Sequence, residues 1–248
     1  MCPARARIPH TPRVLAAILT IGNEVVSGDV ENTNAMWLAQ RLESLGVRAV
    51  LAAAVPDEIE AIADFIRRER VRVDRLIVTG GLGGTPDDLT REAMAFAFDV
   101  PQEEVPELAA ALRARFAGDP EWAVRWAALP RGARPLENPL GGAPGFAIEN
   151  VYVLPGLPAE MEAMFDSIAE EFRRGSPIGS WRRVYRTRES VIAPALVEAG
   201  ERWPAVAVGS YPTFGAGGPT VEIVVKSSDP DALRDASAWL ASALEERG

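Results

Sequence analysis

Apolar positions along the chain follow two periods, and the alternation between them predicts the elements. Val14–Thr20 is an unbroken apolar run followed by turn residues, the pattern of a strand buried on both faces. Asn32-Thr33-Asn34 then offers caps to a helix carrying Met36, Trp37, Leu38, Leu42 and Leu45 and ending at Gly46. Val47–Val55 reads as a second strand. Asp57 is placed to cap a helix with Ile59, Ile62, Ala63 and Ile66 on one face, and Glu60 completes a capping-box-like pair. Leu76–Val78 is a third strand, and the glycine-rich loop Gly80–Gly84 leads to a helix over Leu89–Phe98. Leu108, Leu112 and Phe116 recur at helical spacing, so 103–128 is expected to be helical. A Pro/Gly-rich stretch from Pro130 to Gly145 precedes a further strand, Ile148–Leu154. A turn at Pro155–Pro158 follows, then a helix over Glu160–Arg173 with Met161, Met164, Phe165, Ile168 and Phe172. Strand and helix in alternation imply a mainly parallel α/β sheet, covered on both faces and joined by right-handed crossovers.

Gly175-Ser176-Pro177-Ile178-Gly179 reads as a linker. Beyond it the pattern predicts strands near Trp181–Thr187, Ala205–Tyr211 and Thr220–Lys226, with helices at Glu189–Ala199 and Pro230–Glu246, a compact α+β unit. The expected division is a flexible leader at 1–13, an α/β domain at 14–176 and a small α+β domain at 180–248.

Composition removes several chemistries. Cys2 is the one cysteine and His10 the one histidine, so disulfide frameworks, cysteine-ligated zinc and Ser-His-Asp triads are excluded. Lys226 is the sole lysine. With 35 acids against 26 bases the formal net charge is -9, which argues against a general nucleic-acid binder. Gly215-Ala216-Gly217-Gly218 imitates the GxxG loop of an RNA-binding module, but its position between two strands makes it a hairpin turn. Arg5, Arg7 and Arg13 ahead of Val14–Ile21 imitate a signal peptide; the apolar run is eight residues and leads into Gly22-Asn23-Glu24, so a buried strand is the better reading. No apolar stretch approaches the ~20 residues of a spanning helix. The expectation is a cytoplasmic protein without nucleic-acid or membrane partners.

The acids sit where a ligand is expected. Each of the first three strands runs into a turn bearing carboxylates: Glu24, then Asp57, then Asp87 and Asp88. In open parallel α/β sheets, ligands bind beyond the carboxyl ends of the strands. Gly80–Gly84 ahead of a helix can wrap backbone N–H groups around an anion. Two aspartates beside a phosphate would repel it unless a divalent cation lies between them, which suggests a metal-bridged diphosphate. The same residues have a plainer reading: Thr85 as N-cap, Pro86 as first helical residue and Asp88 completing the cap. The loop is neither a Walker A loop nor a dinucleotide fingerprint. Asn138–Gly145 and Pro155–Pro158 read either as ligand wall or as turn punctuation.

The strings TIGNEVVSGDVENTN (20–34), VPDE (55–58), TGGLGGTPDDLTREA (79–93), NPLGGAPGF (138–146) and LPGLPAEM (154–161) resemble the N-terminal region of the competence/damage-inducible protein A (CinA) family. That family lies in the molybdopterin-binding domain superfamily, with MoaB, Mog, MoeA and gephyrin. The GNE and VPDE variants are similar to the corresponding domain of eukaryotic FAD synthases. The resemblance covers about residues 14–247. It implies a three-layer, mainly parallel fold with a small α+β domain behind it, and a pocket at the strand ends for a pterin or nucleotide diphosphate.

Carried over position by position, the resemblance implies that Asp88 holds Mg²⁺, with Asp87 and Glu24 beside it. Gly80, Gly81, Gly83 and Thr85 would form the phosphate loop. Gly22, Asn34, Asn138, Gly142, Pro155 and Gly156 would complete the ligand wall. CinA-type domains are described as metal-dependent ADP-ribose pyrophosphatases, and the FAD-synthase relative is associated with FAD hydrolysis. Mg²⁺, Mn²⁺ or Co²⁺ would serve as the metal, with K⁺ as an accessory ion, and Asp57 or Glu24 as general base. Superfamily members oligomerise, so a homodimer is expected, with exposed Trp or Phe from 103–128 at its contact. Two departures stand out: Asn23 replaces the Asp of the usual GDE, and Gly84 replaces the Pro of the usual GLGPT. The deamidase domain of full-length CinA and the FAD-synthesising domain have no counterpart in these residues, so neither activity is carried over. The readings left open are a metal-dependent nucleotide pyrophosphatase, a module that binds a pterin or nucleotide without turnover, and a molybdenum-cofactor biosynthesis protein.

Overall fold

A computed structural model describes residues 14–173 and 176–245. The 1–13 leader, with Cys2 and His10, lies outside the described residues, as do Gly175 of the expected linker and Glu246 of the expected last helix. The described chain folds into two compact units.

The larger unit opens with β1 (Leu15–Ile21), α1 (Asn23–Ser27), α2 (Thr33–Ser44), β2 (Arg48–Val55), α3 (Ile59–Glu69), β3 (Arg75–Thr79) and α4 (Thr90–Phe98). It continues through β4 (Gln102–Glu104), α5 (Pro106–Arg115), α6 (Pro120–Val124), β5 (Ala128–Pro130), β6 (Arg134–Leu136), β7 (Gly145–Ile148), β8 (Val151–Leu154) and α7 (Pro158–Phe172). Six strands form one sheet in the order β2-β1-β3-β8-β7-β6, parallel from β2 to β8 and antiparallel beyond it. Strands β4 and β5 pair apart from it.

Side chains alternate across a strand, so β1 feeds both faces. Ala17, Leu19 and Ile21 join Ile62 and Ile66 of α3 and Met94 and Ala97 of α4 in one core. Ile18 and Thr20 therefore face the opposite layer, where Trp37 of α2 meets Phe165 of α7 edge-on at 5.8 Å. Removing each such Leu, Ile or Phe from water stabilises the fold by about 1.5–3 kcal/mol. The architecture is three-layered and mainly parallel, with α2 and α7 on one face and α3 and α4 on the other.

Two expectations need correction. The 103–128 stretch is not one helical region: Gly118 and the Asp119-Pro120 start signal break it. Asp119 caps α6 by accepting from the Trp122 N–H, and a short strand lies at each end. Of its aromatic residues, Trp126 is buried and stacks edge-on with both Phe116 and Trp122, at 5.4 and 4.8 Å, while Trp122 stays exposed. The expected strand Ile148–Leu154 is a hairpin, β7 and β8, turning at Glu149, which takes φ 50°.

The smaller unit comprises β9 (Gly179–Tyr185), α8 (Glu189–Arg202), β10 (Ala207–Gly215), β11 (Gly218–Ser227) and α9 (Pro230–Glu245). Its antiparallel sheet has the order β10-β11-β9. Val221, Ile223 and Val225 of β11 pack against Ile192 and Ala195 of α8 and Leu240 and Leu244 of α9. Ala216 and Gly217 form the hairpin turn between β10 and β11. Among the described residues no helix is long and apolar enough to cross a membrane.

Candidate functional site

The register of the parallel strands brings their carboxyl ends level. Ile21 lies beside Val55, Thr20 beside Thr79, and Thr79 beside Leu154. The segments that follow therefore open on one edge of the sheet, and they line a single cleft of about 470 Å³. From β1 come Gly22 and Glu24; from β2, Asp57; from β3, Gly80, Gly81, Leu82, Gly83, Asp87 and Asp88; from β8, Pro155, Gly156, Leu157 and Glu160. Gly142 and Ala143, ahead of β7, complete the wall.

The glycine loop is held from both sides. A peptide's C=O and the following N–H point in opposite directions. The Leu82 carbonyl accepts from the Arg91 guanidinium at 2.6 Å, while the Gly83 N–H donates to Asp88 Oδ1 at 2.8 Å. Two residues on, the Gly84 carbonyl accepts from Arg125 at 2.6 Å, while the Thr85 N–H donates to Asp88 Oδ2 at 2.8 Å. Trp126 Nε1 holds the Gly83 carbonyl between them at 3.0 Å. Cations thus fix the carbonyl side and one carboxylate fixes the N–H side. Burial pushes the Arg91 guanidinium down to about 10, which still leaves it charged at neutral pH.

The capping readings do not hold. Helix α4 starts at Thr90 after Leu89, so Thr85 is not its N-cap. Helix α3 starts at Ile59 after Glu58, with no side-chain cap, and Asp57 instead accepts from the Asn23 N–H at 2.8 Å. That bond ties the turn after β2 to the turn after β1. Asn23, the departure from a carboxylate, returns the favour by accepting from the Asp57 N–H at 3.4 Å through Oδ1. Gly84, the other departure, leaves room for an indole: a Cβ there would lie 2.3 Å from Trp122 Cζ2.

Asp57 titrates above the ordinary aspartate range, chiefly because it is partly desolvated and also because Glu24, Asp87 and Asp88 bring like charge. The folded state thus holds the Asp57 proton more tightly than the unfolded chain, and this group's contribution to stability falls as pH rises through the carboxylate range. Asp57→Asn is expected to stabilise the protein relative to wild type at pH 7 and to lose that advantage near pH 4. Urea midpoints of both proteins at the two pH values check the sign.

Three expected ligand residues do not line the cleft. Asn34 is buried, and its amide donates to Thr79 Oγ1 at 3.1 Å and the Gly156 carbonyl at 2.8 Å, bracing the ends of β3 and β8. It borders an adjoining small cavity of about 100 Å³, which shares Ile21, Glu24, Gly80 and Gly156 with the cleft. Thr85 faces a cavity behind the loop with Arg91 and Arg125. Asn138 is buried, and its amide donates to the Ala143 carbonyl at 3.0 Å and to Glu160 Oε2 at 2.9 Å. Sequence reasoning missed Glu160, Trp126 and Arg91. Glu160 lay within the LPGLPAEM string, and its place in the first turn of the helix after a strand end was the available signal.

Among the described residues no three His, Cys, Asp or Glu side chains form a metal-holding group. The site is therefore not an all-protein cage. It does fit the way Mg²⁺ is held beside phosphates, by one or two carboxylates with the remaining positions filled by phosphate oxygens and water. A carboxylate offers about four lone-pair positions. Asp88 uses three of them, for the Gly83 N–H, the Thr85 N–H and the Thr85 hydroxyl.

A family model described as "Probable molybdopterin binding domain" matches residues 17–174, and one described as "FAD synthase, middle domain" matches residues 182–248. A protein of Archaeoglobus fulgidus is 38% identical over 202 residues, covering 80% of this chain and 86% of its own. A CinA-like protein of Frankia casuarinae is 38% identical over 234 residues, covering 86% of this chain and 54% of its own; this chain spans about half of that relative's length. The crystal structure of the protein CinA of Thermoplasma acidophilum, of unknown function, superposes with a TM-score of 0.61 at 30% identity, covering 64% of this chain and 98% of that one.

Proposed function

Since this chain belongs to the molybdopterin-binding domain family and is CinA-like within it, we propose that it is a metal-dependent nucleotide pyrophosphatase, cleaving ADP-ribose or an FAD-like dinucleotide. The observation that carries the reading is the convergence of Glu24, Asp57, Asp87 and Asp88, from three strand ends, on the glycine loop in one cleft. Asp88, with Asp87 and Glu24 beside it, would hold the Mg²⁺, which supplies charge neutralisation at the bridging phosphates. The loop's Gly83 and Thr85 N–H groups hold Asp88 in place, so that carboxylate would meet the phosphate through the shared Mg²⁺. Asp57, titrating above its ordinary range, takes the proton from the attacking water. Water adds to one phosphorus, the P–O bond to the bridging oxygen breaks, and ADP-ribose yields AMP and ribose 5-phosphate.

A second reading has its own support. The Asp88 carboxylate already occupies two N–H groups of the loop, and Asn23 stands where a second acid is usual. Both favour a module that retains a pterin or nucleotide without turnover. One experiment separates them: the protein is incubated with ADP-ribose, FAD, NAD or ATP, with Mg²⁺, Mn²⁺, Co²⁺ or EDTA, and products are resolved by anion exchange. AMP that appears with metal and disappears with EDTA is the expected result. A retained ligand with no product under any metal would replace the enzyme reading with the binding one.

A further inference from the structure

The strand order separates the acids of the cleft into two groups. Asp57, Glu24 and the Asp87-Asp88 pair follow β2, β1 and β3, which are consecutive neighbours; Glu160 follows β8, on the far side of the glycine loop. Glu160 is built in rather than incidental. Its Oε2 accepts from Asn138 Nδ2 at 2.9 Å, and Asn138, only 3% exposed, is itself pinned to the Ala143 carbonyl and accepts from the Leu140 N–H at 3.0 Å. Gly142 supplies the space, since a Cβ there would lie 2.3 Å from Glu160 Oε1. Among the described residues no basic side chain pairs with Glu160. Asn138 therefore fixes one oxygen of a half-buried carboxylate in the ligand cleft, and the other has no cation to serve.

A carboxylate held in this way accepts hydrogen bonds from neutral donors. Strands β3 and β8 are adjacent, so the phosphate loop and the Glu160 segment leave the sheet about 4.8 Å apart. One sugar ring bridges such a gap between its 5′-phosphate and its ring hydroxyls. A flat pterin favours a stacking face, and the indole that lines the cleft, Trp126, is buried and packed edge-on with Phe116 and Trp122. Resting on the nucleotide reading above, we propose that Glu160 is the specificity residue that recognises the vicinal hydroxyls of a ribose whose 5′-phosphate lies on the glycine loop. The chemistry is that of the acidic residue that binds ribose hydroxyls in dinucleotide-binding sheets, reached here from a different strand.

The test is calorimetric binding to the full chain. AMP and ribose 5-phosphate are the probes, with 2′-deoxy-AMP and 3′-deoxy-AMP as the analogues lacking one hydroxyl. Wild type is expected to bind each deoxy analogue roughly tenfold more weakly than AMP, the size of one hydrogen bond to a charged acceptor. Glu160→Ala is expected to bind all three alike, and Glu160→Gln, which keeps one acceptor oxygen, to retain part of the preference. Discrimination that survives in Glu160→Ala overturns the assignment, as does a wild type indifferent to the hydroxyls. Pterin binding that depends on Glu160 overturns it too. Where AMP binds and dinucleotide is hydrolysed but Glu160 does not matter, this inference alone fails. Where wild type neither binds AMP or ribose 5-phosphate nor releases AMP, the nucleotide reading fails and takes the inference with it.

Discussion

Asp88→Ala is expected to lower metal-dependent AMP release by at least about 100-fold, the loss found when a preorganised group is removed from the place where charge develops. The size follows from what Asp88 holds. Among the described residues it is the acceptor for two N–H groups of a loop whose carbonyls are pulled the other way by Arg91 and Arg125. Without the carboxylate those peptides lose the partner that opposes the guanidinium pull, in a segment with glycine at 80, 81, 83 and 84. The same change removes the acid best placed to share a cation with a phosphate. Asp88→Asn separates the two effects: its oxygen can accept from one N–H, so the loop is partly kept while the charge is lost. Single-turnover hydrolysis of ADP-ribose with saturating Mg²⁺ measures both variants, and their thermal midpoints show whether the fold survives. Hydrolysis at the wild-type rate in Asp88→Ala would remove this residue, and the metal reading built on it, from the mechanism.

How far the sequence foretold this depends on whether the decisive contact was local. The buried run of β1 and the alternation of strands and helices follow from hydrophobic period, and they place the cleft at the right edge of the sheet. Asp57 was assigned to a cap because capping is the local use of an Asp before an apolar run. Its actual partner, the Asn23 N–H, is 34 residues away. Thr85 failed for the same reason, since the helix starts at Thr90, once the loop has closed on Asp88. The β7-β8 hairpin carried no glycine signal, because a glutamate, Glu149, adopts the left-handed turn. Asn150 then ties its side chain to the Arg70 and Val73 carbonyls at 2.8 and 2.9 Å, a tertiary stabilisation invisible to local pattern. Glu160 and Asn138 are partners across 22 residues, so neither announces the other. The site residues that sequence reasoning found were those adjacent to strand ends. Trp126 and Arg91, which it missed, reach the glycine loop only through the fold, whereas Glu160 stood in the first turn after a strand end and was passed over.

Gly80→Ala is expected to destabilise the larger unit by about 4 kcal/mol, the exceptional class of single-substitution effects. Two costs combine. Gly80 has φ +108°, a conformation that a residue with a Cβ rarely adopts. A Cβ there would also lie 2.2 Å from the Ile21 carbonyl oxygen, which is backbone and cannot rotate away. Relief requires β1 and β3 to part at their carboxyl ends. That would disturb the Gly80 N–H bond to the Leu154 carbonyl and the Thr90 hydroxyl bond to the Gly80 carbonyl, at 3.2 and 2.8 Å. Gly28→Ala is the control. Gly28 has φ +84°, also in the left-handed region, but a Cβ there meets nothing within 4 Å, so only the conformational cost of about 1 kcal/mol remains. Urea unfolding of both variants followed by tryptophan fluorescence measures the difference. Equal midpoints would mean that the strand ends yield without cost. The clamped loop, the level strand ends and the cleft they enclose would then be softer than preorganised phosphate binding requires. A large gap between the two, with AMP release lost in Gly80→Ala and kept in Gly28→Ala, would place the rigidity at the floor of the cleft, where β1, β3 and β8 meet.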